Sequence, residues 1–194
     1  MILPTEPKWK SLIVETIGPV FNPQQCQDII NMGESLKSEE AKVGTTAPEG
    51  KHDVEKRITT ISWIPFDRLP QMYKVIEGVI AKTNGNHFGF DGVRITELAQ
   101  YTSYPTGGFY EWHTDNDVTG INEPTVRKIS MTLLLSPPTD FDGGELELME
   151  KKKKAKLVQG QAIFFASFIP HRVLPVTRGT RKSLVMWFGG PPLR

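Results

Sequence analysis

This 194-residue chain has little that would tie it to a secreted or membrane setting. It holds one cysteine, Cys26, which excludes an intramolecular disulfide and fits a reducing, cytoplasmic compartment. No apolar run approaches the roughly 20 residues of a membrane span. The first ten residues include Pro4, Glu6, Pro7 and Lys8, so they lack the continuous apolar core of a signal peptide. Charge is also nearly absent in sum: 23 basic residues face 22 acidic ones, a formal +1. That balance provides no global attraction to nucleic acid or a membrane surface. There is no internal repeat. What is present, 38% hydrophobic residues, suffices for one domain with a sizeable core.

Periodicity divides the chain near Val93. Before it, Leu12 to Val20 reads as a strand, and Asn22-Pro23 is a good N-cap and first-turn pair for a helix carrying Cys26, Ile29, Ile30 and Leu36. Residues 37–56 are almost without apolar side chains, as in a mobile lid over a bound substrate or a disordered linker. Arg57 to Ile64 is β-branched and aromatic and reads as one strand. A second helix is expected over Asp67 to Lys82, stopped by Asn84-Gly85-Asn86. After Val93 the texture is short strands separated by turn residues. They are Arg94 to Tyr104, Phe109 to His113, Lys128 to Leu135, Glu145 to Glu150, Ala155 to Val158, Ala162 to Phe165, His171 to Val176 and Arg181 to Phe188. Eight such strands argue for a mainly β fold with flanking helices (α+β), a double-stranded β-helix or jelly roll. The expectation is a single domain, with 1–92 as helical and strand support and 93–194 as the jelly-roll core. Lys151 to Lys154 reads as a solvated hairpin tip that guards a sheet edge.

His113-Thr114-Asp115 carries the chemistry. If the triplet is extended, alternation sends both side chains to one face. A triplet of this kind is common by chance, so order and spacing have to support it. His171 lies 56 residues past Asp115 on a late strand, and a jelly roll runs such strands beside the earlier one. Two imidazoles and a carboxylate on one side of a metal leave about three coordination positions open, the set used by non-haem Fe(II) oxygenases. Protonation of the imidazoles should weaken metal binding below about pH 6 to 6.5. Arg181, ten residues past His171, suits bidentate recognition of a carboxylate and so a dicarboxylic cosubstrate. Ser183 and Trp187 share its strand face by alternation.

Three stretches give the chain a family likeness: YPTGGFYEWHTD (104–115), SMTLLLSPPTDFDGGELEL (130–148) and HRVLPVTRGTRKSLVMW (171–187). Through them residues 93–194 resemble the prolyl 4-hydroxylase-like 2-oxoglutarate oxygenases, PKHD-type hydroxylases above all. The resemblance implies Fe(II) on His113, Asp115 and His171, with 2-oxoglutarate and O2 as cosubstrates and ascorbate as a reductant. It implies hydroxylation of an unactivated C–H bond with release of succinate and CO2. Arg181 is the implied partner of the distal carboxylate of 2-oxoglutarate, where many family members carry lysine. Tyr104 matches a tyrosine that reaches the cosubstrate, with Tyr101 as its rival, while Ser183 and Trp187 complete that pocket. Arg57, Trp63, Tyr101 and Arg127 are candidate substrate contacts. The implied substrate is a proline-containing peptide or protein, or a free amino acid.

Each residue also has a plainer reading: core histidine for His171, surface strand residue for Arg181, ordinary core for Tyr104 and Trp187. His52 and His87 lack partners and read as loop residues. Asp142-Gly143-Gly144 reads as a turn. Two other functions stand beside the oxygenase. A non-catalytic jelly-roll binding module would not need Arg181 and Tyr104. A nucleic-acid demethylase on the same barrel would need a substrate-reading arginine well past the last ligand, and Arg172 and Arg178 begin too early.

Overall fold

The computed structural model describes residues 11–40, 57–116, 125–149 and 153–192. In chain order the elements are β1 (Ile13–Glu15), α1 (Pro23–Ser35), β2 (Glu39–Glu40), β3 (Arg57–Ile58), β4 (Thr60–Ile64), α2 (Pro70–Thr83), β5 (Arg94–Ile95), β6 (Ala99–Tyr104) and β7 (Phe109–His113). There follow β8 (Val126–Leu134), β9 (Phe141–Gly143), β10 (Leu146–Leu148), β11 (Lys153–Ala155), β12 (Ala162–Ala166), β13 (His171–Val173), β14 (Val176–Gly179) and β15 (Arg181–Gly190). The large sheet runs β1-β12-β8-β15-β6-β4-β2, with β5 beside the end of β15. The small sheet runs β11-β10-β13-β7-β3, and β14 and β9 form a separate ribbon. The family of shape is the expected jelly roll, although β1 to β4 show that the sheets also draw on residues before Val93.

Alternation on β15 organises the interior. Arg181, Ser183, Val185 and Trp187 point to one face, and Leu184, Met186 and Phe188 to the other. Register extends this division: Tyr104, Thr102 and Gln100 lie opposite Arg181, Ser183 and Val185, while Leu134, Thr132 and Ser130 lie opposite Ser183, Val185 and Trp187. The inner face is therefore largely polar. The outer face is apolar and joins Tyr101, Met131, Leu133, Phe164, Leu184, Met186 and Phe188 in one buried core with the helices. Each such side chain contributes about 1.5–3 kcal/mol on burial.

Helix α1 starts as its sequence demands. Asn22 Oδ1 accepts from Gln25 N at 2.9 Å, and Gln25 Oε1 accepts from Asn22 N at 2.9 Å, a reciprocal capping box. Its buried stripe of Cys26, Ile29 and Ile30 ends at Gly33, where a Cβ would lie 2.3 Å from Cγ of Tyr101. Helix α2 is tied to the sheet by Tyr73, whose hydroxyl donates to Ile64 O and accepts from Ala99 N.

Several expected boundaries move. Arg57 to Ile64 is two strands in different sheets, β3 beside β7 and β4 beside β6, with Thr59 Oγ1 bonded to Ser103 O at the crossover. Arg94 to Tyr104 and His171 to Val176 likewise divide. Asn84-Gly85-Asn86 does not stop α2: a π-helical turn, Asn84–Phe88, continues it to Gly89, whose φ of 67° ends it. Glu39–Glu40 pairs with β4, so the start of the expected lid is sheet, and 41–56 lies outside the described residues. The Lys151–Lys154 tip begins outside them too. Asp142-Gly143 belongs to β9 rather than to a bare turn. Among the described residues no helix is long and apolar enough to cross a membrane.

Gly33→Ala should push α1 off Tyr101, since overpacking of this kind typically costs about 1–3 kcal/mol. The loss should appear as a lower urea midpoint with an unchanged slope.

Candidate metal and cosubstrate site

His113 ends β7 and His171 opens β13, and the two are direct cross-strand partners with ring centroids 4.1 Å apart. Asp115 reaches them by a route that alternation does not describe. The strand stops at His113, and the N–H groups of Asp115 and Asn116 both donate to Ser167 O, at 2.9 and 3.0 Å. A bend fixed by one carbonyl, not an extended triplet, puts the carboxylate between the imidazoles. Asp115 Oδ1 is 3.7 Å from His113 Nε2, and Oδ2 is 3.5 Å from His171 Nε2. One ligand atom from each residue falls within 4.8 Å of the others.

Both rings are set for ligation. His113 Nδ1 is 2.7 Å from Glu111 O and His171 Nδ1 is 3.0 Å from Ile169 O. A carbonyl only accepts, so each Nδ1 carries the proton and each Nε2 presents its lone pair to the centre. Tyr110 stacks on His113 at 3.5 Å, and Phe165 packs against His171 at 4.6 Å. Ser130 Oγ donates to Asp115 Oδ2 at 2.6 Å and lies 3.0 Å from Ser167 Oγ. Burial and the neighbouring His171 push the His113 pKa down to about 3. Burial opposes ionisation of Asp115, yet His171, His113 and the Ser130 hydrogen bond hold its carboxyl below the usual range. The result is neutral imidazole beside carboxylate, the protonation state a divalent metal requires. Competition between proton and metal at His113 therefore moves well below the expected pH 6 to 6.5.

Beyond the triad the inner face carries charge. Arg181 is 3% exposed, and its partners are Ser183 Oγ, accepting from Nη1 at 3.1 Å, and the Tyr104 ring, 5.6 Å from its Cζ. No carboxylate among the described residues neutralises it. Burial lowers its pKa and Tyr104 opposes this, but a guanidinium keeps its charge in proteins. Gly144 makes room for this side chain: at φ 66°, its Cβ would lie 2.9 Å from Arg181 Cδ. A buried cation without a counterion is costly unless a ligand neutralises it. The residues fit a bound dicarboxylate, with Arg181, Ser183 and Tyr104 around its far end.

Trp187 stands opposite Ser130 on the same face, away from Arg181, so it walls the metal end rather than the arginine end. Arg127 Cζ lies 4.0 Å over its ring, and Trp63 is 6.1 Å from it. Arg127 in turn pairs with Glu97, Nε to Oε1 at 2.6 Å. Arg127 and Glu97 line an open cavity of about 440 Å3 together with Arg94, Thr96 and Thr125. Arg57 stacks on Tyr110 at 4.4 Å. Tyr101 is a correction: it faces away from the site, packs on α1, and donates to Glu34 Oε1 at 3.1 Å. His87 sits in the π-helical turn, and His52 lies outside the described residues.

Tyr110, Ser130, Ser167, Gln100 and Glu97 were not singled out by sequence. The alternation that selected Ser183 and Trp187 would have selected Ser130 and Gln100 on neighbouring strands once register was known. Tyr110 required knowledge of the irregular pairing between β13 and β7.

Residues 99–189 match the model of the 2OG-Fe(II) oxygenase superfamily. A PKHD-type hydroxylase of Hyphomonas neptunium is 43% identical over 84 residues, 42% of this chain and 38% of that protein. One from Colwellia psychrerythraea is 45% identical over 84 residues, 42% of this chain and 37% of its own. The matched stretch thus spans about two fifths of these relatives. In fold, the chain is similar to a viral collagen prolyl hydroxylase of Paramecium bursaria Chlorella virus-1 solved with 2OG, with a TM-score of 0.73 at 20% identity over 93% of this chain and 97% of that one. It is also similar to a Trichoplax adhaerens prolyl hydroxylase solved with a hypoxia inducible factor peptide, with a TM-score of 0.71 at 20% identity over 91% and 83%.

Asp115→Ala should abolish stoichiometric Mn(II) binding, and Ser130→Ala should weaken it about 10–100-fold, as measured by titration calorimetry. Acid should destabilise the metal-free protein. The folded pKa of His113 lies below its unfolded value, so the unfolded chain takes up this proton first as pH falls. Stability present above about pH 6.5 is lost progressively toward pH 3, at up to about 1.4 kcal/mol per unit for this group. Asp115 acts in the same sense at the acid end. Urea titrations between pH 7 and pH 4 check the sign.

Proposed function

We propose that the protein is an Fe(II)- and 2-oxoglutarate-dependent dioxygenase that hydroxylates an unactivated C–H bond of a proline or prolyl residue, in a peptide, a protein or as the free amino acid. The observation that carries this reading is the buried Arg181, without a carboxylate partner among the described residues, on the same sheet face as the Ser130 that bonds Asp115 of the candidate metal triad. A binding module kept only for stability would be better served by an apolar residue there. Iron and 2-oxoglutarate, when bound, would supply the oxidising power, with one oxygen of O2 going to the substrate C–H and one to the succinate that forms with loss of CO2.

The chain's own residues supply positioning and electrostatics. His113, Asp115 and His171 hold the metal through one side, and their partners at Glu111, Ile169 and Ser130 stop the ligands from turning. Arg181 and Ser183 orient the cosubstrate by its far carboxylate, aided by the Tyr104 ring. The buried inner face excludes bulk water, which strengthens each of these interactions. Trp63 and Trp187, tilted 40° to one another, form an apolar wall suited to a small saturated ring, with Arg127 and Glu97 beside it. That wall, together with neighbours named as prolyl hydroxylases, supports proline as the target. A reducing, cytoplasmic setting with ascorbate as a reductant suits ferrous iron and the buried lone Cys26.

Succinate formation from 2-oxoglutarate in the presence of O2, dependent on Fe(II) and stimulated by proline-containing compounds, tests the reaction; no succinate from protein loaded with Fe(II) and then exposed to O2 would sink it. Arg181→Ala should raise the 2-oxoglutarate requirement by two orders of magnitude or more, since breaking a desolvated charge pair costs about 3–5 kcal/mol. Arg181→Lys should be milder, because charge survives while the planar fork is lost. Initial rates against 2-oxoglutarate concentration measure both.

A further inference from the structure

Among the described residues, two buried side-chain polar atoms lack any hydrogen-bond partner: Arg57 Nε and Trp187 Nε1. Both are donors, and both belong to residues bordering the metal centre. Arg57 is 8% exposed and Trp187 7%. Buried donors are rarely left unsatisfied, so each calls for an acceptor supplied by a ligand. Arg57 also carries a full charge. Among the described residues it donates from Nη2 to Gln100 Oε1 at 3.4 Å, long for a charged donor, and that oxygen is shared with Thr102 Oγ1 at 3.2 Å; the Tyr110 hydroxyl is its other polar neighbour. It has no ion-pair partner among the described residues.

Position separates this guanidinium from the one that serves the cosubstrate. Arg57 stacks on Tyr110, which stacks on His113, so it stands one ring away from a metal ligand. It meets the large sheet at Gln100, whereas Arg181 meets it at Tyr104. These levels on β6 are four residues apart, about 13 Å of strand, more than a five-carbon dicarboxylate spans. Gln100 lies opposite Trp63, and Trp63 neighbours Trp187. Arg57 thus belongs to the tryptophan end of the cavity, where the molecule to be oxidised would sit.

We propose that Arg57 recognises a carboxylate on the reacting molecule itself, so that the substrate class is free proline or a C-terminal prolyl residue rather than an internal one. The proposal rests on the oxygenase reading and narrows it. The short reach from Arg57 to the metal site requires the carboxylate to be on the hydroxylated residue, not several residues away. The ring then lies against Trp63 and Trp187, and an oxygen of the substrate is the acceptor available to the free indole N–H.

The test uses the full chain loaded with Mn(II) and saturated with 2-oxoglutarate, which binds without turnover. Calorimetry compares L-proline with L-prolinamide, and glycyl-L-proline with its amide. The acids should bind at least about tenfold more tightly than the amides, the scale of a hydrogen-bonded charge. Arg57→Gln should remove that preference, Arg57→Lys should keep part of it, and both should bind 2-oxoglutarate as the wild type does, which also reports correct folding. Equal binding of acids and amides, no binding of either, a preference retained in Arg57→Gln, or loss of 2-oxoglutarate binding in both Arg57 variants overturns the proposal. Failure of 2-oxoglutarate to bind the wild-type Mn(II) protein overturns the oxygenase reading itself, and this proposal falls with it.

Discussion

The two faces of the large sheet have opposite duties, and the rest of the structure depends on that division. Strand alternation gives β15 one row containing Arg181, Ser183 and Trp187 and another containing Leu184, Met186 and Phe188. The inner row holds a guanidinium with no carboxylate partner among the described residues, and β3 adds a second one, Arg57, from across the interior. Each destabilises the empty fold, because desolvated charge without a partner is costly. The outer row must offset this. Phe164, Phe188, Met131 and Leu133 are each 1% exposed or less, beneath helices that the Asn22 capping box and the Tyr73 hydroxyl hold in place. A one-residue slip in β15 would exchange the rows, turning Arg181 toward the helices and Leu184, Met186 and Phe188 into the site. Register is therefore strongly specified, and the site inherits its accuracy from the hydrophobic face behind it.

How much of this could be read from the chain follows the same physics. Where a feature depended on local periodicity, it was legible: the face shared by Arg181, Ser183 and Trp187, the start of α1 at Asn22-Pro23, the run from Phe109 to His113. Where it depended on a contact distant in sequence, it was not. Asp115 faces the histidines because Ser167 O captures two N–H groups, and nothing in His-Thr-Asp announces that carbonyl. Arg57 to Ile64 looks like one strand because its residues all favour strand. It divides because β7 claims Arg57 and Ile58 while β6 claims the rest. Glycine misled in both directions. Gly85 did not end α2, while Gly144 read as turn chemistry and instead clears space for Arg181 Cδ.

Electrostatics explains why the triad is prepared before any ligand arrives. Nearby imidazoles would repel each other if both were protonated, and burial adds to the penalty, so His113 stays neutral. Burial works against ionisation of Asp115, but His171, His113 and the Ser130 hydrogen bond hold its carboxyl below the usual range. The centre therefore has one negative charge facing two lone pairs, an arrangement that a divalent cation completes. With the metal bound, net local charge becomes positive, and Arg57 and Arg181 add to it from two sides. Only anions can balance such a cavity. In the proposed complex one dicarboxylate would run from Arg181 toward the metal, and Arg57 would be left for a second carboxylate.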